Sequence, residues 1–200
     1  MLTVISGGQT GKRARWNAWR LTLMFKQVGV DMAALYAAEA AGIPYTGWVP
    51  LHFTNETGEY GIPERFRKSL KETSTTASSE RTEKNIKDSN GILTLLMEED
   101  EADEGDEGLL KKSPGTLHGI EFAKKLGKNE NQLLFVNLAK EDLTSEKNRV
   151  AQWLIKDKVE RCAIGGPRES ESKGIEIKAF EFLKSVFEDY KREIKLHLKR

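Results

Sequence analysis

The sequence predicts an α/β fold: a mainly parallel sheet with helices on both faces. Two observations carry that prediction. Short apolar, β-branched runs alternate with amphipathic stretches along the chain, the pattern of strands buried on both faces. Glycine-containing turns follow several of those runs. A third observation, 200 residues with 38% hydrophobic content, fits one domain with a sizeable core.

The elements follow in order. Leu2-Thr-Val-Ile5 reads as a strand ending in Ser6-Gly-Gly-Gln-Thr-Gly11. From Val30 the pattern turns helical, with Met32, Leu35, Tyr36 and Ala40 on one stripe, until Gly42 and Pro44 stop it. Tyr45–Pro50 reads as a short strand, and Leu51–Arg67 as a long loop. Ser79–Asp88 is a polar helix, Gly91–Met97 a buried strand, Gly119–Leu126 a helix and Leu133–Val136 a strand. Ser145–Lys156 is helical, Val159–Ile164 a strand, and a closing helix runs from Ile175 to about Leu198.

Composition narrows the function classes. Thirty-two basic and 31 acidic residues leave a formal charge of +1, so no global field draws in nucleic acid or an anionic membrane. Cys162 is the single cysteine, which excludes an intrachain disulfide and fits a reducing compartment. The opening residues lack a signal-peptide pattern, and no apolar run approaches the roughly 20 residues of a membrane span. A cytoplasmic location is the expectation.

Two stretches break the rhythm. Met97–Gly108 (MEEDEADEGDEG), in a loop spanning 97–112, reads as a solvated disordered segment; it lacks the spacing and fixed glycine of a calcium loop. Residues 12–29 (KRARWNAWRLTLMFKQVG) separate the Gly-rich turn from the helix it should open. Three readings apply: a basic-aromatic arm, a plain insertion, or a translated intron. The codons of Gly11-Lys12 can spell a splice donor, and those of Val28-Gly29 an acceptor.

Three turns carry the candidate chemistry. In the first, Gly7, Gly8 and Gly11 permit close backbone approach, and Gln9 and Thr10 add side-chain donors. A turn that ends a strand and opens a helix offers free N–H groups and a positive dipole end to an anion. The second, Ser113-Pro-Gly-Thr116, precedes a helix, where Thr116 serves as N-cap or phosphate ligand. In the third, Gly165-Gly-Pro-Arg-Glu-Ser170, Gly166 turns the chain while Arg168 and Ser170 engage a phosphate; an Arg168–Glu169 contact is the structural alternative. All three are expected to open onto the carboxyl edge of the sheet, where α/β proteins bind ligands. Asp31 is expected to hydrogen-bond the first turn or the ligand. Arg81 and Asn85, at i and i+4, share a helical face. His52, His118 and His197 are scattered, so neither a directly bound metal nor a catalytic constellation is expected. Cys162, inside an apolar strand, reads as a buried structural thiol.

Taken together, these segments resemble the molybdenum carrier family, a Rossmann-like branch related to the Lonely Guy phosphoribohydrolases. The matching residues are Ile5–Gly11 continued by Val30–Leu35, Gly42–Trp48, Ile62–Arg65, Glu80–Ser89, Gly115-Thr116 and Gly166–Ile175. The resemblance implies a Rossmann-like three-layer fold, a homo-oligomer, and binding of molybdenum cofactor or a nucleotide as the phosphate-bearing ligand. The alternative is a nucleoside-phosphate hydrolase. The hydrolase relatives carry a motif resembling P-G-G-x-G-T-x-E-E, and here His118 and Gly119 stand in place of its glutamates. That departure favours binding over hydrolysis.

Overall fold

A computed structural model describes residues 1–7, 29–53, 62–97 and 113–197. Six strands form one all-parallel sheet: β1 (Thr3–Ile5), β2 (Tyr45–Val49), β3 (Leu70–Glu72), β4 (Gly91–Leu96), β5 (Leu133–Asn137) and β6 (Arg161–Gly165). Their spatial order is β3-β2-β1-β6-β4-β5. Register places Val4 beside both Tyr45 and Cys162, and Thr94 beside both Phe135 and Gly165. The helices are α1 (Val30–Ala41), α2 (Glu64–Arg67), α3 (Ser78–Lys87), α4 (Pro114–Lys125), α5 (Thr144–Lys156) and α6 (Ile175–His197).

The period-2 alternation of the central strands sorts side chains between two faces. Val4, Leu93, Leu95, Cys162 and Ile164 point into the main core, which α1, α5 and α6 cover with Ala34, Trp153, Phe182 and Phe187. Ile92 and Ala163 point the other way, towards Ile86 of α3 and Ala123 of α4. A third cluster, Met32, Leu35, Val49, Phe66 and Leu70, seals the β2–β3 flank. The result is the three-layer, Rossmann-like arrangement expected from the alternation.

Local signals set most boundaries. Gly42 adopts the left-handed conformation and ends α1, its N–H bonding back to Glu39, with Pro44 close behind. Pro114 occupies the first position of α4, where a missing N–H costs nothing. Glu169 accepts the N–H groups of Gly174 (2.5 Å) and Glu176 (3.1 Å), placing a carboxylate at the positive end of α6.

The structure corrects three expectations. Within Leu51–Arg67, read as loop, lie a 3-10 turn at Leu51–Phe53 and helix α2; residues 54–61 lie outside the described part. Strand β3 was not anticipated, because its Leu-Lys-Glu offers one buried apolar residue and no alternation to read. Helix α4 begins at Pro114, not Gly119, so Thr116 sits inside the first turn and Ser113 takes the N-cap position. The acidic run beyond Met97 and residues 12–28 fall outside the described residues.

Candidate functional site

The core between the sheet and α3/α4 is small, and a cavity of about 300 Å³ stands beside it. Its apolar wall is Ile5, Ile86, Ile92, Ile120 and Ala163. Its polar rim comes from the carboxyl ends of β4 and β6, the starts of α1, α3 and α4, and the turn after β6. In the sheet order, β1 is where the path of β1-β2-β3 departs from the β6-β4-β5 half. A crevice at such a switch point is the expected ligand position in an open parallel sheet.

Asp31, in the first turn of α1, and Arg81, on α3, form an ion pair in the wall, Nη1 to Oδ2 2.8 Å, with side chains 9% and 7% exposed. Burial pushes the Asp31 carboxyl above its ordinary range; Arg81 and then Arg168 pull it back, and Glu171 adds to the rise. The Arg81 Nε is buried without a hydrogen-bond partner among the described residues. Gly7 closes against this side chain. A Cβ there would lie 2.5 Å from Arg81 Cδ and 2.9 Å from Asn85 Nδ2, so any larger residue would push both aside. Ser6 fixes the floor, its Oγ donating to the Asp31 carbonyl (2.9 Å) with the Ile164 carbonyl 3.3 Å away.

Asn85 lines the cavity but spends its amide on Trp48. The Trp48 N–H donates to Oδ1 (2.7 Å), and Nδ2 donates to the Trp48 carbonyl (3.2 Å). It acts as a strand-like bracket holding α3 to β2. The Trp48 indole N–H donates to Asp88 (2.9 Å), and Lys84 lies 4.4 Å from the ring centroid.

On the opposite rim, the second and third turns meet. Ser113 Oγ donates to Glu171 Oε2 (2.8 Å) and lies 2.8 Å from Thr116 Oγ1. The Arg168 N–H donates to the same carboxylate oxygen (2.9 Å), while Arg168 Nε lies 4.0 Å from Oε1. The structural competitor of Arg168 is therefore Glu171, not Glu169, which caps α6. Gly166 has no room for a side chain: a Cβ would overlap the Leu95 carbonyl and sit 2.7 Å from Val30 Cγ2. At the outer lip His118 pairs with Glu83 (3.2 Å) and stacks on Phe122.

Asp31, Arg81, Asn85, Gly115, Thr116, Gly166 and Arg168 thus line one cavity, and Gly7 forms its backing. Ser170 is exposed and lies outside the lining. Gly8, Gln9, Thr10 and Gly11 lie outside the described residues. Sequence reasoning missed Glu171 and Thr94 as rim residues, and it placed Ser113 in the second turn without a role of its own. Thr94 carried a readable signal, a buried hydroxyl in an otherwise apolar strand; for Glu171 the spacing to Arg168 was local, but the Ser113 partner is 58 residues away. The anion-holding capacity of the second turn is also smaller than expected. Pro114 has no N–H, and those of Thr116 and Leu117 turn back onto the Ser113 carbonyl (3.0 and 3.1 Å). Cys162 is 1% exposed on the far face, and burial pushes its thiol well up.

Comparisons with known proteins agree with this fold. A crystal structure of the protein named "Putative molybdenum carrier protein" from Syntrophus aciditrophicus SB superposes with a TM-score of 0.68 at 27% identity, covering 93% of this chain and 94% of that one. No curated protein matches the chain. The family model of the circularly permutated YpsA SLOG family matches residues 26–187, most of the chain, and begins after the Gly-rich turn. The chain belongs to the circularly permutated YpsA SLOG family.

Proposed function

We propose that the protein is a carrier or binding protein for a small phosphate-bearing molecule, a nucleotide or molybdenum cofactor, held in the cavity at the carboxyl edge of the sheet. The observation that carries this reading is the meeting of the strand-end turns on one cavity that also holds two arginines, Arg81 and Arg168. An apolar wall opposite an ionic rim suits a ligand with a flat organic body and one anionic group. The name of the Syntrophus protein supports the carrier reading. Assembly as a homo-oligomer in the cytoplasm belongs to the same proposal.

Thermal unfolding in the presence of AMP, other nucleotides and molybdopterin tests it. A ligand at 100 times its Kd adds about 2.7 kcal/mol and raises the transition visibly. No shift with any of them, at concentrations up to solubility, would defeat the proposal.

One observation favours a second reading, hydrolysis of a nucleoside phosphate: two carboxylates, Asp31 and Glu171, line the cavity even though the glutamates of the hydrolase motif are missing. Each is engaged with an arginine. Base release from nucleoside monophosphates, followed by chromatography, separates the two readings.

A further inference from the structure

We propose that the Glu171 carboxylate occupies the ligand's oxyanion seat, and that an anionic group of the ligand binds by displacing it. The inference rests on the reading of the cavity as an anion-binding site and names the atoms that would receive the anion: Ser113 Oγ, the Arg168 N–H and the Arg168 guanidinium.

Several observations converge here. Glu171 Oε2 accepts two hydrogen bonds from two different turns, Ser113 Oγ (2.8 Å) at the start of α4 and the Arg168 N–H (2.9 Å) after β6. A phosphoryl or carboxylate oxygen would find the same pair of donors. Ser113 holds the N-cap position of α4, yet its hydroxyl caps no helix N–H and is turned to the carboxylate instead. The Arg168 guanidinium stands 4.0 Å from the other oxygen, a loose ion pair that a ligand can tighten.

Charge balance points the same way. Asp31 offsets Arg81 and Glu171 offsets Arg168, so the ionised side chains of the described rim sum to zero. An entering anion gains little from such a rim while both carboxylates stay in place. Asp31 is fixed by burial. Glu171, with a side chain 21% exposed, is the one able to swing outward, and its departure leaves a net positive rim.

Isothermal titration with inorganic phosphate and with AMP tests the exchange, comparing the full chain with Glu171→Gln. Removing the competing charge should tighten both by about tenfold or more, while the unfolding temperature stays near that of the parent. Equal or weaker binding by a folded E171Q would overturn the displacement while leaving the binding-protein reading intact. Absence of phosphate and AMP binding by both parent and variant would overturn the seat, and the molybdopterin shift then decides the binding-protein reading. Should E171Q fail to fold, Ser113→Ala serves: the seat predicts weaker phosphate binding, and unchanged affinity would refute it.

Discussion

Arg81 and Asp31 meet from positions 50 residues apart, and neither side chain keeps appreciable contact with water. Taking two charges out of water costs several kcal/mol per ion, which their attraction repays only if both remain. Arg81→Met therefore leaves an uncompensated buried carboxylate and should cost about 3–5 kcal/mol. The double variant Asp31→Asn/Arg81→Met removes both charges and should cost less than R81M alone, a coupling read from urea unfolding. If the single and double variants prove equally unstable, the pair is not the unit described. The neighbouring glycines divide by role. Gly7 and Gly166 are walls that a methyl group would breach, whereas a Cβ on Gly115 would meet nothing within 4 Å.

At the scale of elements, the start of α3 is set by Glu80. Its carboxylate bonds Lys84 and accepts the hydroxyls and N–H groups of Ser74 and Thr75, tying the end of β3 to the helix that carries Arg81. Lys84 first, then those donors, hold the Glu80 carboxyl far below its ordinary value of 4.5. Because the native value lies below the unfolded one, the unfolded chain binds more protons in acid. The stabilisation is complete above the ordinary value of 4.5 and fades as pH falls through the native one. Glu80→Gln should flatten that part of the stability-versus-pH curve in acid. Denaturant midpoints measured from pH ~2 to ~7 check it, and parallel curves for parent and variant would contradict it. Helix α4 shows the complementary case, an N-terminus whose capping hydroxyl is turned to a partner outside the helix.

At the scale of the whole molecule, a change of starting strand makes the sheet path regular. Renumbered from β6, the sheet order β3-β2-β1-β6-β4-β5 becomes 4-3-2-1-5-6, a path that steps outward on one side and then on the other. Described segments near both ends lie at the amino edge of the strands. Thr3 bonds the Glu160 carbonyl (2.7 Å) below β6, and Lys191 of α6 bonds the Ala41 carbonyl (2.7 Å) just before β2. A chain cut between Lys156 and Arg161, with residue 200 joined to residue 1 through a flexible linker, should fold to the same sheet and keep any ligand-induced thermal shift. Circular dichroism and that shift measure it; an unfolded permutant would show that the connection between α5 and β6 is essential. By itself the sequence determined the parallel α/β class, the order of the long elements and two of the turns at the cavity rim, because burial periodicity and Gly/Pro punctuation are local properties. Strand β3, the true start of α4 and the Asn85–Trp48 bracket depended on the tertiary structure. So did the Asp31–Arg81 pair and the Ser113–Glu171 bond, since a three-residue strand or a lone side chain acquires its role only from partners that folding brings together.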